Sequence, residues 1–291
     1  MTIIIISLLL LVSLVPHLTF TARVGIVNGK EAKPHSRPYM VSIQLNEKHI
    51  CGGFLITEEF VLTAAHCWKK KEVQTVVVGA HDLSKTRTLK RYGVKSYIPH
   101  PDYRTNRNNI MILKGDSGGP LVCGNTAVGV TSFGNARVVV HTSEQAGTVL
   151  LEYLTAISQP DSRTLIDKKV KLNNKIKPIS LPSDGKHIKA GADCSVAGWG
   201  DLWMEGPLSD RLMEANVTTK SDKYCHVKWG SKYVAKHMIC VYGQGGSCKG
   251  DSGGPLVCGN TAVGVTSFGD ARVCDSPEQP EVYTRISAYR H

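Results

Sequence analysis

The stretch Gly250-Asp251-Ser252-Gly253-Gly254-Pro255 sets a serine among glycines in a chain of 291 residues. Glycines permit a tight turn that exposes the Ser252 hydroxyl and points the backbone N–H groups of Gly250 and Ser252 into one hole. Acyl transfer by serine needs both features, together with an imidazole base and a carboxylate that orients it. A Gly-x-Ser-x-Gly turn alone is a weak signal, so its meaning depends on the rest of the chain.

Two further motifs accompany this turn. Leu62-Thr63-Ala64-Ala65-His66-Cys67 supplies a histidine, and Ile26-Val27-Asn28-Gly29 precedes it. The Ser252 turn resembles the nucleophile motif of the chymotrypsin/trypsin family of serine proteases. The segment that contains His66 resembles the histidine motif of that family, and the segment that begins at Ile26 resembles its mature N-terminus. Within that family, the chain resembles the granzymes or the mast-cell proteases. The resemblance covers Ile26 to about Lys114 and about Ile166 to His291.

The resemblance implies a role for each motif. Ser252 is the expected nucleophile and His66 its general base, and no metal or cofactor is needed. A new α-amino group at Ile26 would form a buried ion pair with Asp251, which orders the oxyanion hole and the specificity pocket. Because Gly25 rather than Lys or Arg precedes Ile26, activation would remove Val24-Gly25 as a dipeptide or follow directly from signal-peptidase cleavage.

The triad carboxylate is replaced. In the family an Asp precedes an apolar run such as Ile110-Met111-Ile112-Leu113-Lys114, and here that position is Asn109. An amide cannot stabilise the imidazolium and favours the wrong histidine tautomer, and in this family the Asp to Asn change lowers kcat by about 10⁴-fold. Asp102 stands nearby, but in the preceding loop. The expected catalytic set is therefore His66, Ser252 and Asn109.

Short apolar and β-branched runs, separated by Gly, Pro, Asn and Asp, predict an all-β fold. Examples are Tyr39–Leu45, Val73–Val78 and Ala262–Phe268. The resemblance implies two six-stranded antiparallel β-barrels with the active site in the cleft between them. The family's C-terminal helix would be truncated, because the sequence stops at Arg290-His291.

Nine cysteines indicate an oxidising compartment, and no CxxC or HExxH spacing points to a metal site. The resemblance implies four disulfides, which pair Cys51 with Cys67, Cys194 with Cys258, Cys225 with Cys240, and Cys248 with Cys274. Cys123 is then the odd thiol.

An internal repeat explains that odd thiol. The block Lys114–Gly134 is identical to Lys249–Gly269, and the match continues to Val138 and Val273 with one difference. We interpret it as a duplicated coding segment or an error in gene assembly, within an atypical insert at about 115–165 that duplicates 249–273. The repeated serine, Ser117, is not expected to act as a nucleophile, because no cysteine equivalent to Cys248 precedes it.

The N-terminus and the charge bear on where the chain acts. Ile3–Val15 has the length of a signal-peptide core and is too short to span a membrane. We predict a signal peptide and short propeptide at 1–25, a protease domain at 26–291, and a secreted or secretory-granule location. The formal net charge of +11 could attract sulfated glycans or proteoglycan, or only form a solvated face. Nucleic acid is not an expected partner, since no basic helix or aromatic stacking motif accompanies the charge.

The resemblance places four residues in the S1 pocket, which receives the substrate side chain before the scissile bond, called P1: Gly246, Ser247, Gly269 and Glu281. Trypsins carry Asp at the position of Gly246, so the base of this pocket is uncharged. Glu281 could meet a Lys or Arg side chain from the opposite wall, or it could point elsewhere or narrow the pocket. We predict a mixed P1 preference for basic and large apolar residues.

The leading function is a secreted serine endopeptidase that cleaves proteins or peptides through an acyl-enzyme, with serpin-type inhibitors implied by the family. The alternative is a catalytically impaired homologue that binds polyanions through a basic surface. Asn109 favours the alternative, whereas His66, Ser252 and the oxyanion loop favour the enzyme.

Overall fold

The structure, a computed structural model, describes residues 26–115, 122–123, 126–127, 169–183 and 187–289. The predicted signal peptide and propeptide, Ser117, and nearly all of the predicted insert lie outside these residues. The described chain begins at Ile26 and forms a short first strand, β1 (Lys30–Glu31).

The first barrel is a closed sheet of six antiparallel strands in the order β2-β3-β4-β7-β6-β5. Its interior is built from β-branched and other apolar side chains of consecutive strands, such as Val76 and Val78, which are buried and suit a pleated, enclosed surface. The strands are β2 (Met40–Leu45), β3 (Lys48–Leu55), β4 (Phe60–Thr63), β5 (Gln74–Val78), β6 (Lys90–Pro99) and β7 (Met111–Gly115).

The second barrel contains six strands in the order β11-β10-β13-β14-β15-β12, closed by pairing of β12 with β11. On the same edge of β11, opposite β10, β1 pairs with Met213 and Glu214. Alternate residues of β11 are buried, as expected for a strand with one face on a core. The strands are β10 (Asp193–Gly198), β11 (Met213–Thr219), β12 (Met238–Gly243), β13 (Pro255–Cys258), β14 (Thr261–Phe268) and β15 (Glu281–Arg285). The predicted pair of six-stranded antiparallel barrels is thus confirmed.

Helical structure in the described residues is short. The α-helix Asp222–Trp229 begins where Ser221 Oγ accepts the Tyr224 N–H at 3.2 Å, and it ends at Gly230, whose φ is 58°. Single 3₁₀ turns cover Ala65–Cys67, Thr86–Thr88, Gly230–Lys232 and Ile286–Tyr289. Among the described segments, no helix has the length and apolar character needed to cross a membrane.

A small hairpin from the duplicated block is also described. Strands β8 (Val122–Cys123) and β9 (Thr126–Ala127) pair Val122 with Ala127 and Cys123 with Thr126. In the second barrel, the equivalent residues pair in the same register, Val257 with Ala262 and Cys258 with Thr261. The duplicated sequence therefore forms the same local hairpin outside the barrel, because the turn and its flanking residues are identical.

Four disulfides hold the described loops, and they are the pairs that the family resemblance implies. Cys51–Cys67 joins β3 to the histidine turn, and Cys194–Cys258 joins β10 to β13. Cys225–Cys240 ties the α-helix to β12, and Cys248–Cys274 closes the segment that contains Ser252.

Candidate active site

The cleft brings the Ser252 turn against the loop that carries His66. His66 lies in the 3₁₀ turn directly after β4, and the Gly52 N–H of the first barrel donates to the Ser252 carbonyl at 2.8 Å. Gly253 has a φ of 84°, and a Cβ atom there would collide with Thr63 Oγ1 and the Gly52 carbonyl. Only glycine permits this approach, so the turn chemistry of the sequence positions the serine at the edge of the first barrel.

The predicted oxyanion hole has a fixed backbone. Gly250 has a φ of 96°, and its carbonyl accepts a hydrogen bond from His49 Nε2 at 3.0 Å. Burial lowers the pKa of His49 to about 4, so this ring is neutral and its other nitrogen, Nδ1, accepts from Ser42 Oγ at 2.8 Å. In the described part of the chain, the N–H groups of Gly250 and Ser252 donate to no protein acceptor, as an oxyanion hole requires.

Asn109 occupies the orienting position beside His66, and both the oxygen and the nitrogen of its side-chain amide are engaged in polar contacts. Its Oδ1 accepts the backbone N–H of His66 at 3.1 Å. Its Nδ2 lies 2.7 Å from His66 Nδ1 and donates to Ser267 Oγ at 2.9 Å. Its backbone carbonyl accepts from Thr284 Oγ1 at 3.1 Å, so both barrels hold the residue in place.

This arrangement determines which ring nitrogen of His66 carries the proton in the neutral imidazole. Because Oδ1 of Asn109 faces the His66 N–H, only its NH₂ group faces Nδ1, and Nδ1 must accept. The ring proton then resides on Nε2, the nitrogen that a general base needs free for the serine proton. A carboxylate at this position would accept from the backbone N–H, from Nδ1–H and from Ser267 together.

The pKa of His66 is lowered from its ordinary value, first because the ring is largely buried and also because Lys69 is nearby. The N–H that Asn109 directs at Nδ1 stabilises the neutral ring and not the imidazolium. A neutral amide cannot offset the cost of burying an imidazolium as a carboxylate does.

Asp251 lies fully buried next to Ser252. Its two oxygens accept the N–H groups of Gly200 and Cys248, each at 2.8 Å. Burial raises the pKa of Asp251 to about 7 despite these two hydrogen bonds, and the nearby Asp201 raises it further. Ile26 is fully buried in the core of the second barrel. A buried carboxylate without a cation is costly, so a positive charge brought to it would be strongly stabilised.

The four residues predicted for the S1 pocket come together. A Cβ atom on Gly246 would collide with Glu281 Oε1, and a Cβ atom on Gly269 would lie 3.8 Å from Glu281 Cγ. Ser247 Oγ lies 2.9 Å from Tyr283 OH, which donates to Glu281 Oε2 at 2.6 Å. The Glu281 side chain thus fills the space that a side chain on residue 246 would occupy.

Glu281 is buried, and its Oε1 has no hydrogen-bond partner among the described residues. Burial raises the pKa of Glu281 to about 8, against the hydrogen bond from Tyr283, which lowers it. The carboxyl group is therefore neutral at neutral pH until a cation reaches it.

Among the residues that the structure describes, one cluster has donor atoms close enough to suggest a metal. Atoms of Cys51, His66 and Cys67 lie within 4.8 Å of one another. The two sulfurs are joined in a disulfide and cannot act as thiolate ligands, so these residues do not form a metal site.

Sequence reasoning missed the partners that set the site's geometry. No role was expected for His49, Ser267 or Thr284, yet they hold the Gly250 carbonyl, the Asn109 amide and the Asn109 backbone. A histidine two residues before Cys51 was the only available signal for His49.

Comparison with known proteins agrees with this geometry. A family model described as Trypsin matches residues 26–114, 111–146 and 155–291. Duodenase-1 of Bos taurus is 34% identical over 97% of this chain and 93% of its own length, and cathepsin G of Homo sapiens is 32% identical over 97% and 90%. Granzyme C of Mus musculus is 32% identical over 91% of this chain and 88% of its own length.

The solved structure of neuropsin, a serine protease expressed in the limbic system of mouse brain, is similar with a TM-score of 0.66. It is 27% identical, and the match covers 90% of this chain and 96% of neuropsin. With the two barrels, the three ordered motifs and a family match over most of its length, this chain belongs to the trypsin family of serine proteases.

Proposed function

We propose that the protein is a serine endopeptidase of low efficiency that cleaves proteins or peptides. Ser252 Oγ attacks the scissile carbonyl, its proton passes to His66 Nε2 and then to the leaving amine, and water hydrolyses the acyl-enzyme. The observation that carries this proposal is the packing of the Ser252 turn against the His66 loop, with the Gly250 carbonyl held by His49. Asn109 limits the rate, because its NH₂ group favours the Nε2–H tautomer.

Labelling with a fluorophosphonate probe tests the nucleophile. Wild-type protein should label slowly and Asn109→Asp quickly, whereas Ser252→Ala should not label. The duplicated serine provides a matched control, because Ser117→Ala should label at the wild-type rate. Labelling that survives Ser252→Ala, or is lost in Ser117→Ala, would contradict the assignment.

Activation through Ile26 is part of this proposal. A free α-amino group there would bring a cation to the buried Asp251 carboxylate, whose pKa of about 7 would fall once it is paired. N-terminal sequencing of the secreted protein should find Ile26 first. A mature protein that starts elsewhere would argue for an inactive form.

The P1 preference and the location are also proposed. Glu281 beside Gly246 supports acceptance of basic side chains, and the uncharged pocket base supports large apolar ones.

The four disulfides and the apolar segment Ile3–Val15 support a secretory route.

A second candidate function rests on the Asn109 contact. The orientation of its amide disfavours catalysis, which leaves a basic protein of net charge +11 that binds polyanions. Absence of fluorophosphonate labelling in both the wild type and Asn109→Asp would favour this candidate over the enzyme.

A further inference from the structure

The sequence contains one acceptor signal for N-linked glycosylation, Asn216-Val217-Thr218. Such a signal is Asn-x-Ser/Thr with any residue except Pro in the middle, and no other Asn of the 291 residues has Ser or Thr two positions later. None of the candidate catalytic, oxyanion-hole or S1 residues belongs to this segment. A three-residue signal also arises by chance, so the placement of these residues in the fold decides its value.

The second barrel presents the signal to solvent. Asn216 and Thr218 lie on β11 with the buried Val217 between them, and alternate side chains of a strand point to opposite faces. Val217 packs in the core of this barrel, so Asn216 points outward, where its side chain is exposed. An oligosaccharide attached to Asn216 would therefore extend into solvent without disturbing the core.

The contacts of the fold do not account for an asparagine at this position. Asn is depleted from β-strands, and among the described residues the Asn216 side chain makes no hydrogen bond. Glu214, which lies on the same face of β11, accepts instead from Arg37 Nε at 2.8 Å. The amide nitrogen of Asn216 can consequently carry a substituent without the loss of a contact.

The strand pairing leaves room for a bulky group. Directly opposite Asn216 on β10 is Ser195, whose side chain is small. On the other edge of β11, the pairing with β12 ends at Val217 and Gly243, and the pairing with β1 reaches only Glu214. Asn216 also lines a broad groove of about 2090 Å³, and none of the candidate catalytic, oxyanion-hole or S1 residues is among the described residues that line it. A glycan in this groove would leave the cleft open.

The order of synthesis keeps the signal accessible. Strand β12, which pairs with β11, and strand β13, which pairs with β10, both lie later in the chain than Asn216. When Asn216 emerges during synthesis, β11 can pair only with earlier strands, so the second barrel has not yet closed. A chain that enters the secretory route thus meets the glycosyl transferase before the complete sheet fixes this strand.

We propose that Asn216 carries an N-linked oligosaccharide. The proposal rests on the secretory route of the proposed function, because the sugar donor, an oligosaccharide linked to a lipid pyrophosphate, is used in that compartment. Asn216 Nδ2 forms a bond to the anomeric carbon of the first N-acetylglucosamine, and the bond from that carbon to the pyrophosphate oxygen breaks. The lipid pyrophosphate leaves with the electron pair, and the amide nitrogen loses one proton to solvent.

Translation of the full chain in the presence of microsomes tests the site and the route separately. Protection from added protease reports entry into the microsome, and loss of mass on treatment with peptide N-glycosidase reports the glycan. We expect a protected chain that loses mass. When the glycosidase acts in heavy-oxygen water, peptide mass spectrometry should find the oxygen label at residue 216.

Substitutions within the signal locate the glycan. Asn216→Gln and Thr218→Val should abolish it, whereas Thr218→Ser should keep it, because Ser retains the hydroxyl group that the signal requires. Asn260→Gln is the matched control. Asn260 is exposed and is followed directly by Thr261, but Ala262 stands where the signal needs Ser or Thr, so this variant should be glycosylated like the wild type.

The two readouts separate failure of the site from failure of the route. A protected chain without a glycan would overturn the site, and so would a glycan that survives Asn216→Gln or Thr218→Val. A chain that the protease digests would contradict the secretory route instead. In that case a cleavable signal sequence placed before Met1 brings the chain into the microsome, and the presence or absence of the glycan there decides the site. Because transfer precedes folding, none of these readouts requires a variant to fold.

Discussion

Nδ2 of Asn109 lies 2.7 Å from Nδ1 of His66, while Oδ1 of the same amide is held by the His66 backbone N–H. A hydrogen bond of good length is thus made with the wrong polarity, because the side chain that should accept a proton from the imidazole offers one instead. The mismatch lies in one functional group of the site, the Asn109 amide.

Asn109→Asp should therefore restore catalysis. The carboxylate would accept Nδ1–H, free Nε2 to act as the base, and raise kcat by about 10³- to 10⁴-fold. Steady-state hydrolysis of a chromogenic peptide by the Ile26-initiated protein measures this gain. Asn108→Asp is the matched control, since it adds the same charge one residue away, where the side chain contacts Tyr289 OH, and it should leave kcat low. Equal rates in both variants would contradict the tautomer argument.

The pH profile should change with the same substitution. Burial lowers the pKa of His66 in the wild type, and an adjacent carboxylate stabilises the imidazolium and raises that pKa. The acid limb of kcat/KM should consequently lie at higher pH in Asn109→Asp than in the wild type. An unshifted limb would show that His66 is not the group that titrates.

Glu281 should make the P1 preference depend on pH. With a pKa of about 8, its carboxyl group is neutral below that pH and charged above it. The ratio of kcat/KM for a P1 Lys substrate over a P1 Phe substrate should rise as the pH passes about 8 and be flat in Glu281→Gln, which keeps the shape and removes the charge. Glu281→Gly should abolish the preference for basic residues, and an unchanged profile would rule out this role.

Cys123 should compete for a disulfide partner. Its neighbours in sequence are identical to those of Cys258, and its hairpin pairs in the same register. We therefore expect the folding chain to offer Cys194 two cysteines in the same local sequence. Cys123→Ser should raise the fraction of folded protein with the Cys194–Cys258 bond. Peptide mapping by mass spectrometry under non-reducing conditions measures this fraction, and an equal yield from wild type would show that the two sulfurs do not compete.

The two barrels could be predicted because turn residues and β-branched runs recur along the chain, and because three motifs lie in family order. Ser252 and His66 followed from those motifs. The contact between Asn109 and Ser267 could not be predicted in this way, since it joins residues 158 positions apart and depends on how the barrels dock. The position of Glu281 over Gly246 likewise depends on the packing of β15 beside a loop, which no local pattern encodes.

The duplicated hairpin also affects the order of events during synthesis. A ribosome makes Cys123 before Cys194, and Cys258 appears only 64 residues after Cys194. At a synthesis rate of about 5–20 residues per second, about 3–13 s pass between the synthesis of Cys194 and that of Cys258. During this time Cys123 is present and Cys258 is not. Synthesis from the N-terminus in an oxidising compartment therefore lets Cys194 react with Cys123 before Cys258 is made. The yield of native protein becomes sensitive to translation speed and to disulfide isomerases.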